Sequence, residues 1–125
     1  MRTSFDPRKF LELANQLIWD VDYERDPRAR TAMGRIYYTV FLLALEKLHE
    51  KGLGAKDQEK IHKFVIETYN KKGLSTIGNG LDQLREKRVD ADYRLMVNVT
   101  LDSCKKYARL SEHLISLIEQ VKEIK

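Results

Sequence analysis

The sequence predicts an all-α protein, an antiparallel up-and-down bundle of about five helices. Three observations support this fold class. Leu, Lys, Glu and Arg are abundant whereas there are only two prolines, apolar residues recur at spacings of three and four, and few stretches alternate as strands do. The length of 125 residues predicts a single domain, 1–125, that buries a substantial core without disulfides.

The first helix is predicted to begin at Asp6-Pro7, with the Asp6 side chain as its cap. A polar run, 20–26, follows it and is expected to be the short link of a helical hairpin. The apolar residues of this segment recur at helical spacing and predict one buried stripe: Phe10, Leu13, Ala14, Leu17, Ile18 and Val21.

The second helix is predicted to open at Asp26-Pro27, a cap residue followed by a proline at the first helical position. It is expected to end before Gly52, because glycine readily adopts the left-handed geometry of a C-cap. In the range 36–45 only one residue is polar. A helix that is apolar on nearly every side should lie centrally or against a partner chain.

The third and fifth helices are predicted from their caps and apolar spacing. Asp57 is expected to cap the third helix, which ends at Gly73, and Thr100 is expected to cap the fifth. The inner faces predicted for the two helices consist of Ile61, Phe64, Val65, Thr68 and Tyr69, and of Leu101, Cys104, Tyr107, Ala108, Leu114, Leu117, Ile118 and Val121.

Between these helices the sequence is less regular. Gly78 and Gly80 are poor helix formers, so they predict a broken segment before a fourth helix that runs from Leu81 to near Arg88. The range 89–99 has no helical period and is predicted to be a loop.

Composition narrows the classes of function. The net charge of +4, from 23 basic and 19 acidic residues, is compatible with a phosphate-bearing partner. The lone Cys104 and the lack of an apolar leader after Met1 favour the cytoplasm, and the longest apolar run is too short for a bilayer. No metal or cofactor is expected, because the histidines share no helix face and no glycine-rich phosphate loop is present.

Two blocks of sequence carry more specific information. The first block is Arg-x-Arg-x-Ala-x-x-Arg-x-Tyr-Tyr-x-x-Phe, formed by Arg28, Arg30, Ala32, Arg35, Tyr37, Tyr38 and Phe41. The second block runs from Leu81 to Tyr93 and contains Arg-x-x-Ala-Asp-Tyr. His62 lies between the two blocks, early in the predicted third helix. Together these blocks resemble the HEPN superfamily (higher eukaryote and prokaryote nucleotide-binding domains), in particular its small stand-alone prokaryotic branch.

The resemblance implies a HEPN-like bundle that forms a homodimer and binds RNA or a nucleotide. It also implies a place in a toxin–antitoxin or defence system, with a minimal nucleotidyltransferase antitoxin as the partner. Many HEPN proteins are metal-independent ribonucleases. In those enzymes an arginine holds the phosphate, and a histidine a few residues later handles the proton of the attacking 2′-hydroxyl.

This chain departs from that catalytic pattern. Arg88 has the position of the arginine, but 89–96 holds no histidine. An ionised aspartate is a weak base at neutral pH and a tyrosine hydroxyl is a donor, so ribonuclease activity is the alternative to binding. The candidate catalytic residues are Arg88, Asp92 and His62, and the candidate nucleic-acid or nucleotide-binding residues are Arg28, Arg35, Arg88 and Tyr93.

Structural roles compete with these functional ones. Arg88 and Asp92 are spaced to form an ion pair at a helix end, and Arg35 is an alternative partner of Asp92. The adjacent tyrosines of the second helix are expected in the core or a dimer interface more often than as platforms for bases. A third class of function is a structural dimer or an antitoxin-bound subunit, in which the partner nucleotidyltransferase modifies Tyr93.

Overall fold

The computed structural model describes residues 5–54 and 60–123, which form five helices. The predicted all-α helical bundle is confirmed. Asp57, the predicted cap of the third helix, lies outside the described residues. The helices are α1 Arg8–Trp19, α2 Arg25–Glu50, α3 Ile61–Lys71, α4 Ser75–Tyr93 and α5 Leu101–Glu119.

The central element is α2, which packs against each of the other four helices. Its apolar stretch supplies much of the core, including the fully buried Ile36, Tyr37, Val40 and Ala44. The sequence predicts that this helix lies either centrally in the fold or against a partner chain. In the structure α2 lies centrally.

The direction of the helices follows from their contacts with α2. Arg35 packs on Phe10 whereas Arg28 bonds to the carbonyl of Leu17, so α1 is antiparallel to α2. The α3 helix runs in the same direction as α2, because Tyr37 contacts His62 early in α3 and Ala44 accepts a hydrogen bond from Tyr69 near its end. The helices therefore do not simply alternate in direction along the chain, because α2 and α3 run the same way.

The helix starts agree with the sequence in part. Thr100 Oγ1 accepts the Ser103 N–H at 3.0 Å and so caps α5, as predicted. Asp6 Oδ1 accepts the Arg8 N–H at 3.0 Å, at the predicted start of α1. The prediction for α2 is wrong by about half a turn: the helix begins at Arg25, and Pro27 is its third residue. A proline is tolerated there because the first turn of a helix has no intrahelical acceptor for its N–H groups.

Two helices end at glycines in the left-handed region, at the positions where the sequence predicts their ends. Gly52 has a φ of 75° and Gly73 a φ of 79°. In each case the next residue donates its N–H back into the last turn: Leu53 to the Leu48 carbonyl at 2.8 Å, and Leu74 to the Tyr69 carbonyl at 2.9 Å. This is the Schellman motif, which satisfies carbonyls that the helix leaves without partners.

The predicted break at Gly78 and Gly80 is wrong, because α4 is one continuous helix of 19 residues. Both glycines are points of close packing. A Cβ on Gly80 would lie 2.6 Å from the Leu114 side chain, and one on Gly78 would lie 3.0 Å from the Ile66 carbonyl oxygen. Tight packing thus offsets the cost of glycine in a helix, about 1 kcal/mol each. The predicted loop 89–99 is also wrong over its first five residues, which belong to α4.

Cys104 lies in the core of the bundle, as its helical spacing predicts. Its side chain is fully buried, and its S–H donates to the Ala29 carbonyl on α2 at 3.2 Å. Burial raises the pKa of this thiol to about 11. Within 5–54 and 60–123, none of the helices has the length together with the apolar character that crossing a bilayer requires.

Candidate functional site

Two arginines and three aromatic rings alternate along one side of the bundle. The Arg35 guanidinium carbon lies 4.7 Å from the ring centre of Phe10 and 5.3 Å from that of Tyr38. The Arg88 guanidinium carbon lies 5.3 Å from the centre of Tyr38 and 5.4 Å from that of Tyr93. These five residues are called the arginine–aromatic cluster below. The distances are those of cation–π contacts, in which the negative face of a ring attracts a cation.

Helix geometry explains how three helices build this cluster. Arg35 and Tyr38 are three residues apart on α2, so they share a face. Because α4 continues to Tyr93, its last turns supply both Arg88, which reaches Tyr38 on α2, and the Tyr93 ring beside Arg88. The antiparallel α1 contributes Phe10. The alternation of rings and cations therefore depends on tertiary packing as well as on local spacing.

The guanidinium of Arg88 has donors to spare. Its Nε lies 2.9 Å from Asp92 Oδ2, which confirms the predicted contact between these residues. The buried Nε–H nevertheless does not point at an acceptor, so the contact is an ion pair without a hydrogen bond. Nη2 donates weakly to the Tyr93 hydroxyl at 3.5 Å. The outer edge of the guanidinium is thus largely uncommitted.

Arg35 also keeps its donors, because it packs on rings instead of pairing with Asp92. Among the described residues it has no hydrogen-bond acceptor and no carboxylate partner. A half-buried cation on two ring faces is stabilised without losing its N–H groups. The cluster thus presents two guanidinium groups whose forks suit the oxygens of a phosphate.

His62 lies beside the cluster, in contact with Tyr38 at 6.1 Å between ring centres. Its Nδ1 is 2.5 Å from the Tyr37 hydroxyl, and its ring stacks on Phe41 at 4.3 Å. Burial, and then the nearby cations Arg85 and Arg88, lower the pKa of His62. Burial raises the pKa of Tyr37 far above its ordinary value. Both groups are therefore neutral at neutral pH.

Arg28 is not part of the cluster. Arg28 is only 5% exposed, and its guanidinium donates to three backbone carbonyls. Nη1 reaches Leu17 at 3.1 Å and Ile18 at 3.3 Å, and Nε reaches Glu24 at 3.3 Å. Arg28 therefore satisfies the carbonyls at the end of α1, and it lies apart from the other predicted binding residues.

Arg30 performs the same task at the end of α4. Its Nη1 donates to the carbonyls of Asp90 and Ala91, both at 3.1 Å. Its Nη2 donates to the carbonyls of Leu95 at 3.4 Å and Val97 at 2.6 Å. One side chain thus holds the α4 end and the loop that follows it.

The structure brings Arg35, Arg88, Asp92 and Tyr93 together, with His62 next to them. Sequence reasoning missed Phe10 as a member and treated Tyr38 as a packing residue. The spacing of Arg35 and Tyr38 was a usable signal, whereas nothing in the sequence indicates that Phe10 on a separate helix joins them. Over the described part of the chain, no group of three or more His, Cys, Asp or Glu residues is arranged to hold a metal ion.

Comparison with models of protein families, with curated proteins and with solved structures yields no match for this chain.

Proposed function

We propose that the chain is a HEPN-like module that binds RNA or a nucleotide, with a phosphate group on the arginine–aromatic cluster. The observation that carries the proposal is the state of Arg35 and Arg88. Both guanidinium groups are held on ring faces while their outer donors remain open. Tyr93, which is 68% exposed, offers a ring face on which a base can stack.

The test is the affinity for a fluorescent single-stranded oligouridylate, measured by anisotropy at several salt concentrations. Arg88→Ala should weaken binding about tenfold or more, and the salt slope should become shallower by about 0.7 for the lost phosphate contact. The matched control is Arg109→Ala, which removes the same charge from an exposed position on α5. Equal affinity for wild type and Arg88→Ala would remove the cluster as the binding site.

A wider proposal concerns the partners of this module. The resemblance of the two sequence blocks supports a homodimer in a toxin–antitoxin or defence system with a minimal nucleotidyltransferase antitoxin. Light scattering of the purified chain measures the dimer. The nucleotidyltransferase partner is supported if a reading frame for such a small protein lies beside the gene and its product copurifies with this chain. A chain that is monomeric and does not bind that product contradicts both the homodimer and the nucleotidyltransferase partner.

A metal-independent ribonuclease is the second candidate function, and the environment of His62 favours it. Cleavage of RNA by its own 2′-hydroxyl needs one group that takes up the proton and one that stabilises the phosphate. The neutral imidazole of His62 and the nearby guanidinium of Arg88 are suited to these two roles. RNA should then be cut in the presence of a chelator, and His62→Gln should abolish cutting whereas His113→Gln should not. Intact RNA at high protein excess would rule the activity out.

A further inference from the structure

A second surface lies at the end of the bundle, between the α1–α2 link and the loop 94–100. A groove of about 800 Å³ opens there. Its apolar lining includes Trp19, Leu95 and Met96, which are 66%, 79% and 99% exposed. It is called the link groove below. A contiguous set of exposed large apolar side chains is typical of an interaction site.

The backbone that carries these side chains is held in place. Arg30 donates to the carbonyls of Leu95 and Val97, and the Val97 N–H donates to the Arg94 carbonyl at 3.0 Å. Leu95 and Met96 are therefore exposed on a loop that is tied to α2. Such preorganisation reduces the entropy that is lost when a partner binds.

The charges of the groove indicate the kind of partner. Its lining includes four cations, Arg25, Arg28, Arg30 and Lys105, but only two acids, Asp26 and Asp102. Arg30 is 3.4 Å from Asp26 and Lys105 is 3.7 Å from Asp102, so both acids already have a partner. The lining thus carries two more cations than acids, in line with the chain's net charge of +4.

We propose that the link groove docks an acidic, apolar segment of a second protein. The apolar side chains of that segment cover Trp19, Leu95 and Met96, and its carboxylates meet Arg25. The Lys105 ammonium lies 4.2 Å from the Trp19 ring centre, a cation–π contact that orients this ring at the groove. None of the groove residues belongs to the arginine–aromatic cluster, so this proposal is independent of the proposed function.

Two other occupants fit less well. A nucleic acid would need several free cations. Of the four cations in the described lining, Arg28 and Arg30 donate to backbone carbonyls and Lys105 pairs with Asp102, which leaves Arg25, and much of the lining is aliphatic. A second copy of this chain, related by a twofold axis, would place the same positive surface against itself. A carboxylate-bearing apolar segment satisfies both properties of the groove.

The experiment is selection from a displayed library of random short peptides on the full chain, followed by affinity measurements on the selected peptides. We expect sequences that combine Asp or Glu with large apolar residues. Met96→Glu should weaken their binding about tenfold or more, because it puts a negative charge in the path of the peptide carboxylates. Leu13 lies on α1 outside the groove and is 42% exposed, so its predicted burial is wrong. Leu13→Glu is therefore the matched control and should bind as wild type does.

A charge exchange tests the electrostatic part. Arg25→Glu should weaken the acidic peptides and strengthen versions in which their acids are replaced by lysine. Selection of basic or uncharged peptides, or equal loss with Met96→Glu and Leu13→Glu, overturns the proposal. So does a wild-type dimer that Met96→Glu dissociates, or oligouridylate binding that Met96→Glu weakens, since these outcomes assign the groove to a second copy or to RNA. Because Met96 is almost fully exposed, an unchanged thermal midpoint should accompany Met96→Glu.

Discussion

The arginines at the start of α2 and those of the arginine–aromatic cluster use one functional group in opposite ways. Arg28 and Arg30 give their N–H groups to seven backbone carbonyl contacts between them. Arg35 and Arg88 are held by ring faces, and their outer donors stay open. The partner of a guanidinium, rather than its place in a motif, therefore decides whether it stabilises the fold or is available for a ligand.

The largest expected effect is on stability, at Arg28. Arg28→Ala leaves the carbonyls of Leu17 and Ile18 without their charged donor, and a hydrogen bond to a charged group contributes about 1.5–3 kcal/mol. We expect the free energy of unfolding to fall by about 3 kcal/mol, as measured by urea denaturation. The control is Arg25→Ala on the exposed first residue of α2, and an equal effect there would contradict the distinction.

Arg30→Ala should have the next largest effect, about 2 kcal/mol, because its side chain is more accessible to water than that of Arg28. The loss should be local. We expect faster hydrogen exchange in the last turn of α4 and in 94–97, whose carbonyls Arg30 holds, and unchanged exchange in α3. Uniformly faster exchange would mean that Arg30 does not act on this loop in particular.

Arg88→Lys should show a smaller effect, and on binding instead of stability. Lysine keeps the charge but lacks the flat fork that lies on a ring and donates two parallel bonds. Affinity for oligouridylate should fall about fivefold, equivalent to about 1 kcal/mol, while the urea midpoint stays near that of wild type. Full affinity in Arg88→Lys would show that charge alone is sufficient in the cluster.

The smallest effect concerns pH and His62, which lies beside the open arginines. Because the folded state lowers the pKa of His62, the unfolded chain takes up the proton first as the pH falls below about 6.5. The native state therefore loses stability from that point down to the lowered pKa, and the loss levels off below it. Urea midpoints across this range should show less of this decline in His62→Gln than in wild type. His113→Gln, exposed on α5, should leave the profile unchanged.

Local rules in the sequence account for most of the fold. The cap at Thr100, the Asp6 hydrogen bond at the start of α1 and the terminal glycines Gly52 and Gly73 act within one turn of the chain, so their residue types are sufficient to place them. The continuity of α4 was not predictable in this way. Its glycines are compensated by Leu114 and Ile66, which belong to other helices.

The same limit applies to the site. Arg88 and Asp92 are four residues apart on one helix, and their contact follows from spacing alone. The contact of Arg35 with Phe10 depends on the register between α1 and α2. Arg28 belongs to the same sequence block as Arg35, but the reversal of the chain after α1 supplies it with carbonyls. Periodicity cannot separate these two arginines, because the difference lies in residues that are distant in sequence.

The buried thiol of Cys104 can report how often the core of the bundle opens. It is the single cysteine of the sequence, it is shielded between α5 and α2, and its raised pKa keeps it protonated. An alkylating reagent can modify it only when these helices separate, so the rate of modification in native buffer measures how often the core opens. A ligand that binds the closed bundle and not the opened one should slow that rate as its occupancy rises.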